Sequence, residues 1–307
     1  MDVEALVNSF RIRMFHINSV NIGVAIDFGP RILYVAPEDK PEFNLFSILP
    51  DFGINTPDGF WRIYGGHRLW TSPEAMPRSY SLDNYPVSIE VREGSVIVSG
   101  SPEPGNSVLK SIALKPSFIN GAVEVIHSIK NIGRWPIEFS CWALSVMRRG
   151  GFAIIPIKPR PIDERGLLPD RVISIWPYTR LTDERFILSN NYIFIIQDPS
   201  VERPFKIGVR ANPPWTAYYV EGYAFVKIFK YERAVYPDFS VSVEVYTNNL
   251  FLELETVGPL RRVEPGEVNV HTEIWKVVKV GSLNPNEEDV VSKLEQKLPT
   301  ALVEWSA

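Results

Sequence analysis

Cysteine is almost absent from this sequence. The 307 residues contain one, Cys141, which lies in the apolar run Phe139–Leu144. A single cysteine excludes an internal disulfide bond and any zinc site built from several cysteines. In such a run a thiol is more often a small buried hydrophobe than a nucleophile. We therefore predict a structural role for Cys141 and, since no disulfides can form, a cytoplasmic location.

Long apolar runs, basic runs and a signal-peptide pattern are also missing. No segment approaches the roughly 18 apolar residues of a membrane-spanning helix. The net charge is −4, and no basic stripe stands out, which argues against a nucleic-acid partner. Glutamine occurs only twice beside 26 prolines, a composition typical of proteins from hot environments. We expect neither a membrane nor a nucleic acid as partner.

Helical periodicity is scarce, whereas short alternating segments separated by Pro, Gly, Asn and Asp recur along the chain. This pattern predicts an all-β protein, a large antiparallel sandwich. Residues 2–8 are compatible with one or two helical turns. Residues 287–297 form the convincing helical pattern, with Asn284 or Asn286 as N-cap and Pro299 as stop.

No linker or repeat interrupts the chain, so we predict a single domain over residues 1–307. Its core would span about 15–280, and 284–307 would form a C-terminal helix and tail. Two β domains divided near Gly150 and Gly151 are the alternative. Within the predicted sandwich, residues 87–92 and 95–99 read as a hairpin around the turn Glu93–Gly94.

Acidic and apolar residues alternate in Leu250–Glu255. Alternate side chains of a strand share a face, so Glu253 and Glu255 should point the same way. After the turn at Pro265–Gly266, the same alternation places His271 and Glu273 on one face of the next strand. We expect a β-hairpin that brings three carboxylates and an imidazole together, a grouping suited to chemistry.

Several motifs in order resemble the aldose 1-epimerases (galactose mutarotases) and the related hexose-6-phosphate epimerases over residues about 15–280. The motifs are Gly29–Leu33 with Asp39–Phe46, Gly65–Trp70, Asn131–Pro136, Thr182–Phe186 with Gln197–Arg203, Leu252–Glu253 and Pro265–Glu267. The resemblance implies a galactose mutarotase-like β-supersandwich with a sugar site on one concave face. It also implies cofactor-free acid–base catalysis, in which a glutamate deprotonates the anomeric hydroxyl and a histidine protonates the ring oxygen.

Glu253 best fits the spacing of the family's base, and Glu255 is its rival. The family's histidine would fall eleven to thirteen residues after Asn131, where this chain has Trp142, Ala143 and Leu144. An indole or an alkyl chain cannot protonate a ring oxygen. Either His67 or His271 supplies the acid, or the protein does not catalyse the reaction and is a sugar-binding or protein-interaction module with the same fold.

The remaining candidates are side chains that suit a monosaccharide or sugar phosphate. Arginine offers a planar fork, tryptophan and tyrosine offer stacking faces, and carboxylates accept paired hydroxyls. These substrate-binding candidates are Arg68, Trp70, Glu74, Trp176, Tyr178, Asp183 and Glu273. Structural alternatives are an Arg68–Glu74 ion pair and an Asp183 cap on the segment 184–188. No histidine spacing typical of a metal site is present, so we predict neither metal nor cofactor.

Overall fold

The computed structural model describes residues 3–298. Strands hold 52% of the chain and helical segments 6%, which confirms the all-β prediction. The strands, numbered in chain order, are β1 (Val3–Val7), β2 (Phe10–Ile17), β3 (Val20–Ala25), β4 (Arg31–Pro37), β5 (Ile48–Thr56), β6 (Gly59–Ser72), β7 (Ser88–Arg92), β8 (Ser95–Ser99), β9 (Val108–Pro116), β10 (Ala122–Asn131), β11 (Ile137–Met147), β12 (Phe152–Pro156), β13 (Ile173–Ile175), β14 (Phe186–Leu188), β15 (Tyr192–Ile196), β16 (Phe205–Val209), β17 (Trp215–Val220), β18 (Tyr223–Phe229), β19 (Val243–Thr247), β20 (Leu252–Val257), β21 (Arg261–Val263) and β22 (Val268–Lys279).

These strands form two antiparallel sheets packed face to face. The first has twelve strands in the order β1-β2-β3-β4-β6-β11-β20-β19-β16-β13, with β5 on β6 and β21 on β11. The second has ten in the order β14-β15-β12-β17-β18-β22-β10-β9-β8-β7. One apolar cluster fills the space between them, with Leu254 and Phe205 from the first sheet against Phe225 and Trp275 from the second. Each sheet contains strands from both sides of Gly150.

Helical structure is brief. Arg78–Tyr80 is a 3-10 turn, and Pro237–Ser240 is a single turn with left-handed residues inside it. The C-terminal helix runs through Glu287–Asp289, a π turn at Val290–Leu294 and a 3-10 turn at Glu295–Lys297. Its N-cap is Asn286, whose side chain accepts a hydrogen bond from the Asp289 amide. This confirms the predicted C-terminal helix, and its predicted stop at Pro299 lies outside the described residues.

Two local predictions have different outcomes. β7 and β8 pair antiparallel around Glu93 and Gly94, which confirms the hairpin. The helical turns expected at residues 2–8 are wrong, because β1 pairs antiparallel with β2. The turn between those strands uses Asn8 and Ser9 with φ of 44° and 71°, a left-handed turn built without glycine.

The expected hairpin of Glu253 and Glu255 with His271 and Glu273 is also wrong. β20 lies in the first sheet between β11 and β19, whereas β22 lies in the second sheet between β18 and β10. The chain crosses from one sheet to the other between them, and β21 pairs with β11 on the way. The two segments therefore face each other across the core.

Within residues 3–298 no helix is long and apolar enough to cross a membrane.

Candidate functional site

A pocket of about 370 Å³ opens on the outer face of the first sheet, the face turned away from the second sheet. Strands β5, β6, β11, β16, β19 and β20 contribute side chains to it, and the loops after β6 and β13 form its sides. We call it the outer pocket. Its lining residues are Phe52, Ile54, Trp61, Ile63, Arg68, Trp70, Glu74, Tyr80, Trp142, Leu144, Trp176, Tyr178, Pro204, Lys206, Tyr246, Phe251 and Glu253.

Strand alternation decides which side chains reach the outer pocket. On β6, Arg68 and Trp70 face the pocket, while Leu69 packs into the core between the sheets. Just before them, Gly65 and Gly66 have φ of 88° and 65°, and a Cβ at either would meet a neighbouring backbone oxygen at 2.1 and 2.3 Å. The two glycines are therefore required by close approach of the chain to itself.

An ion pair lies at the centre of the pocket wall. Arg68 Nη1 donates to Glu253 Oε1 at 2.6 Å, and both residues are buried. The guanidinium carbon lies 4.3 Å from the centre of the Trp70 ring and 5.6 Å from that of Trp61. Arg68 thus pairs with Glu253, and Glu74 instead accepts a hydrogen bond from the Tyr80 hydroxyl. The alternative of an Arg68–Glu74 pair is wrong.

A second charged group lies beneath the pocket. Lys206 Nζ is 2.7 Å from Glu244 Oε2 and 3.3 Å from Glu255 Oε2, and it lies over the rings of Trp142 and Trp176. Trp142 Nε1 also donates to Glu255 at 2.8 Å. Two buried carboxyl groups therefore share one ammonium group.

Burial and the shared ion pairs shift the pKa values of all three side chains. Burial raises the pKa of Glu255 to about 7, although Lys206 opposes the rise. Burial likewise raises the pKa of Glu244 well above its ordinary value. Burial disfavours the ammonium form of Lys206, but Glu244 and Glu255 outweigh it and hold the pKa of Lys206 well above 10.5. Below about neutral pH the group holds one ammonium ion and at least one protonated carboxyl.

Unpartnered donors accompany these charges. Trp61 Nε1 and Arg68 Nε are buried and have no hydrogen-bond partner within residues 3–298. Both residues line the outer pocket. A buried donor without an acceptor costs about 1–3 kcal/mol, so a ligand that brings oxygen atoms to these donors would recover that cost.

The segment in which the resemblance places a histidine reaches the same pocket. Trp142 and Leu144 line it, and Ala143 between them faces the other sheet. The pocket therefore presents an indole and an alkyl chain at these positions. Its hydroxyl donors are Tyr80, Tyr178 and Tyr246.

His67 and His271 lie elsewhere, on the opposite side of the first sheet. Both are buried between the two sheets with His127, Glu273 and Lys227, a group we call the inner cluster. His67 precedes Arg68 and so faces the other way. The structure therefore does not bring either predicted acid to the predicted bases Glu253 and Glu255.

Hydrogen bonds fix the protonation of the inner cluster's histidines. His127 Nδ1 faces the backbone oxygen of His271 at 3.0 Å, so this nitrogen carries a proton. His127 Nε2 then accepts from His67 Nε2, 2.7 Å away, and His67 Nδ1 accepts from the Ser145 hydroxyl at 2.8 Å. A consistent network results with the imidazoles neutral.

Glu273 is the carboxylate at the centre of the inner cluster. It accepts from the Thr256 hydroxyl, from Trp275 Nε1 at 2.6 Å and from Lys227 Nζ at 3.1 Å. The Thr256 hydroxyl in turn accepts from His271 Nε2, 2.7 Å away. Metal-ligating atoms of His67, His127 and Glu273 lie within 4.8 Å of one another. The positive charge beside this carboxylate is the ammonium of Lys227.

Burial dominates the titration of the inner cluster. It lowers the pKa of His67 well below its ordinary value, with Lys227 adding to the effect. It lowers the pKa of His127 and takes that of His271 to about 3, although Glu273 opposes both shifts. Burial would raise the pKa of Glu273, but Lys227, the neighbouring His127 and His271 and the hydrogen bond from Thr256 together outweigh it, and the pKa is lowered.

Some of the other predicted substrate-binding residues line the outer pocket and some do not. Trp70, Glu74, Trp176 and Tyr178 line the outer pocket. Asp183 is not among its lining residues, and its carboxylate is bound by both Arg185 and Arg203. Asp183 Oδ1 also accepts from the Arg185 amide, consistent with a turn-capping role.

Sequence reasoning missed several residues of the outer pocket, among them Tyr80, Lys206, Tyr246 and Phe251, and it also missed Glu244, which pairs with Lys206 beneath the pocket. A signal existed for one of them: Lys206 is a single charge inside the apolar strand β16. A lysine in a strand buried on both faces needs a buried counter-charge. Nothing in the sequence says which of the 36 acidic residues provides it.

Two facing antiparallel sheets with an aromatic, charged pocket on one outer face define a β-supersandwich of the galactose mutarotase type. The prediction of this fold is confirmed by solved structures. A galactose mutarotase-like protein from Lactobacillus casei matches 87% of this chain and 100% of its own, with 9% identity and a TM-score of 0.54. A proposed mutarotase from Salmonella typhimurium matches 91% and 94%, with 10% identity and a TM-score of 0.57.

The same fold occurs within a longer protein. A TPR-domain containing protein from Parabacteroides distasonis matches 95% of this chain with 11% identity and a TM-score of 0.58. This chain spans about half of that protein, 49%. No protein-family model matches the sequence, and no curated protein matches it. At these identities the comparisons establish the galactose mutarotase-like fold. Any activity has to be argued from the residues of the site.

Proposed function

We propose that the protein binds a carbohydrate in the outer pocket. The observation that carries the proposal is the buried Arg68–Glu253 ion pair set against the faces of Trp61 and Trp70. Flat aromatic faces suit the C–H surface of a sugar ring, and a guanidinium–carboxylate pair can donate to and accept from neighbouring hydroxyls. Mutarotase-like proteins of the same fold support the choice of ligand class.

Calorimetric titration with glucose, galactose and short glycans tests this proposal. Arg68→Lys keeps a cation beside Glu253 but removes the planar fork, so affinity should fall about tenfold or more. Arg92→Lys is the matched control, because Arg92 lies on the surface of the other sheet beside Glu90. Absence of binding to every carbohydrate, or equal affinity in Arg68→Lys, would contradict the proposal. The first result would favour a protein-interaction module with this fold.

A second candidate is cofactor-free epimerisation at the anomeric carbon. It is favoured by the shared face of Glu253 and Glu255, one of which has a pKa of about 7. A carboxylate would take the proton of the anomeric hydroxyl while the bond from C1 to the ring oxygen breaks. The ring oxygen would receive a proton from a second pocket group. Rotation about the C1–C2 bond of the open-chain aldehyde would then present the other face of the carbonyl, and reclosure by the reverse proton transfers would give the other anomer. Since His67 and His271 face the core, this donor would be protonated Glu255 or a pocket tyrosine.

Exchange between α- and β-anomers, measured by NMR, tests this second candidate. Either Glu253→Gln or Glu255→Gln should slow exchange by at least about 10²-fold, since each variant removes a proton-transfer group. Glu90→Gln, on the surface of the second sheet, is the control. If a sugar binds and its anomers exchange no faster than in buffer, the protein is a carbohydrate-binding relative without this activity.

A further inference from the structure

The charges of the outer pocket point to a preference among sugars. We propose that the outer pocket selects sugars without negative charge and discriminates against sugar phosphates. The inference rests on the proposed carbohydrate binding and adds the substrate class. Two observations support the inference. Both cations of the pocket are already paired with carboxyl groups, and further carboxyl groups have no cation of their own.

Both cations of the pocket lining are already paired. Among its described lining residues the only lysine or arginine side chains are Arg68 and Lys206. Arg68 is 2.6 Å from Glu253, and Lys206 is 2.7 Å from Glu244 and 3.3 Å from Glu255. A phosphate group needs donors with uncompensated positive charge, and neither cation provides it.

Carboxyl groups outnumber these cations. Glu74 lines the pocket and is bound to the Tyr80 hydroxyl rather than to a cation. Glu255 Oε1 is buried without a hydrogen-bond partner among residues 3–298, and both oxygens of Glu244 lack one apart from the ion pair with Lys206. Four carboxyl groups thus surround two cations. Carboxylates still outnumber the cations when one of Glu244 and Glu255 keeps its proton. A phosphate monoester would bring almost two further negative charges beside this surplus.

Two further arginines, one of them next to the lining in sequence, are engaged outside the lining. Arg185 and Arg203 share the carboxylate of Asp183, and Arg185 also donates to the backbone oxygen of Arg203. Arg203 precedes the lining residue Pro204, and its side chain is 42% exposed. It is therefore the side chain that would attract a phosphate if the proposal were wrong, and the experiment includes it.

The test compares affinities of one hexose, its 6-O-methyl ether and its 6-phosphate at about pH 8, where the phosphate is a dianion. The ether controls for the size of a substituent at this position. We expect the 6-phosphate to bind at least about tenfold more weakly than both neutral sugars. A 6-phosphate that binds as tightly as the ether, or more tightly, would overturn the proposal and leave carbohydrate binding intact. If none of the three sugars binds, the proposed function fails as well.

Three variants test whether the charges of the pocket cause the difference in affinity. Glu74→Gln should narrow the gap between the ether and the 6-phosphate by about threefold or more, since it removes one repelling charge. Glu90→Gln, a surface change on β7, should leave the gap unchanged. An unchanged gap in Glu74→Gln would contradict the charge explanation. A preference for the 6-phosphate that disappears in Arg203→Gln would show a phosphate site at the rim and would also overturn the proposal.

Discussion

Two polar groups lie on the opposite faces of the first sheet, and they differ in almost every physical respect. The outer one is built on that sheet, whereas the inner one takes only His67 from it and its other members from the second sheet. The outer pocket holds paired cations, surplus carboxyl groups and unpartnered donors beside an open cavity. The inner cluster lies closed between the sheets, with His67, His127, His271 and Glu273 joined by hydrogen bonds. Neighbouring residues such as His67 and Arg68 belong to different groups, because strand alternation sends them to opposite faces.

This difference indicates which group serves a ligand and which serves the fold. Burial raises the pKa of carboxyl groups under the pocket and lowers the pKa of imidazoles in the inner cluster. The outer group therefore retains protons near neutral pH, whereas the inner histidines are neutral. We infer that the outer pocket exchanges contacts with a ligand and that the inner cluster stabilises the packing of the two sheets.

Removing the cation of the inner cluster should have the largest effect. Lys227 Nζ donates to the backbone oxygens of Ala143 and Leu254 and lies 3.1 Å from Glu273. Lys227→Met leaves that carboxylate buried without a counter-charge, so the free energy of unfolding should fall by about 3–5 kcal/mol. Urea denaturation followed by circular dichroism measures the change.

A double variant gives the control for this prediction. Lys227→Met combined with Glu273→Gln removes both charges, so it should regain at least about 1 kcal/mol relative to Lys227→Met alone. If Lys227→Met lowers the free energy of unfolding by less than about 1 kcal/mol, the inner cluster does not have the structural role inferred for it. The distinction between a ligand-binding face and a packing face of the first sheet would then fail.

The next effect is the acid sensitivity of the inner cluster. The folded-state pKa of His271 is about 3, below the ordinary value of 6.5, because the imidazole is buried. The unfolded chain binds a proton below pH 6.5 and the native state does not, so this contribution to stability is full above pH 6.5 and is lost as the pH falls toward 3. Between pH 7 and pH 4, His271→Asn should lose about 3 kcal/mol less stability than the wild type. Urea denaturation at several pH values measures this. The prediction is contradicted if the free energy of unfolding falls equally with pH in the wild type and in His271→Asn.

The carboxyl groups of the outer pocket should respond with the opposite sign. The pKa of Glu255 is raised from 4.5 to about 7, so the native state keeps a proton that the unfolded chain releases. This contribution to stability is full below pH 4.5 and is lost as the pH rises through 7. Glu255→Gln should therefore gain about 2 kcal/mol relative to the wild type between pH 4.5 and pH 8, since Glu244 competes for the same proton. A gain of equal size in Glu90→Gln would show that the outer pocket is not its source.

The contrast between the faces could be predicted from the sequence only in part. Alternation in Leu250–Glu255 correctly places Glu253 and Glu255 on one face, because the period of a strand is local information. The same reasoning correctly pairs His271 with Glu273 on one face of β22. Which sheet each strand joins is not local. The predicted hairpin failed because the chain crosses between sheets after β20.

Long-range pairs are the part that the sequence leaves open. The partners of Arg68 and Lys206 lie 185 and 49 residues away, at Glu253 and Glu255. The turn at Asn8 and Ser9 shows the same limit on a small scale, since its left-handed backbone is set by pairing of β1 with β2 rather than by a glycine. Residue types that need partners are visible in a sequence, whereas their partners depend on the topology.

The smallest effect should be confined to ligand binding. Trp176 lines the outer pocket from the loop after β13, and its ring lies 4.8 Å from Lys206 Nζ. Trp176→Ala removes a face on which a sugar ring can stack, so affinity for the bound sugar should fall about tenfold, equivalent to about 1.4 kcal/mol. Because the side chain is only partly buried at a sheet edge, the free energy of unfolding should change by less than about 1 kcal/mol. Trp135→Ala is the matched control, since that side chain is 78% exposed and lies outside the pocket lining. If calorimetry gives the two variants equal affinities, stacking on this wall does not contribute to binding, and the division between a ligand face and a packing face would then rest on the charged groups alone.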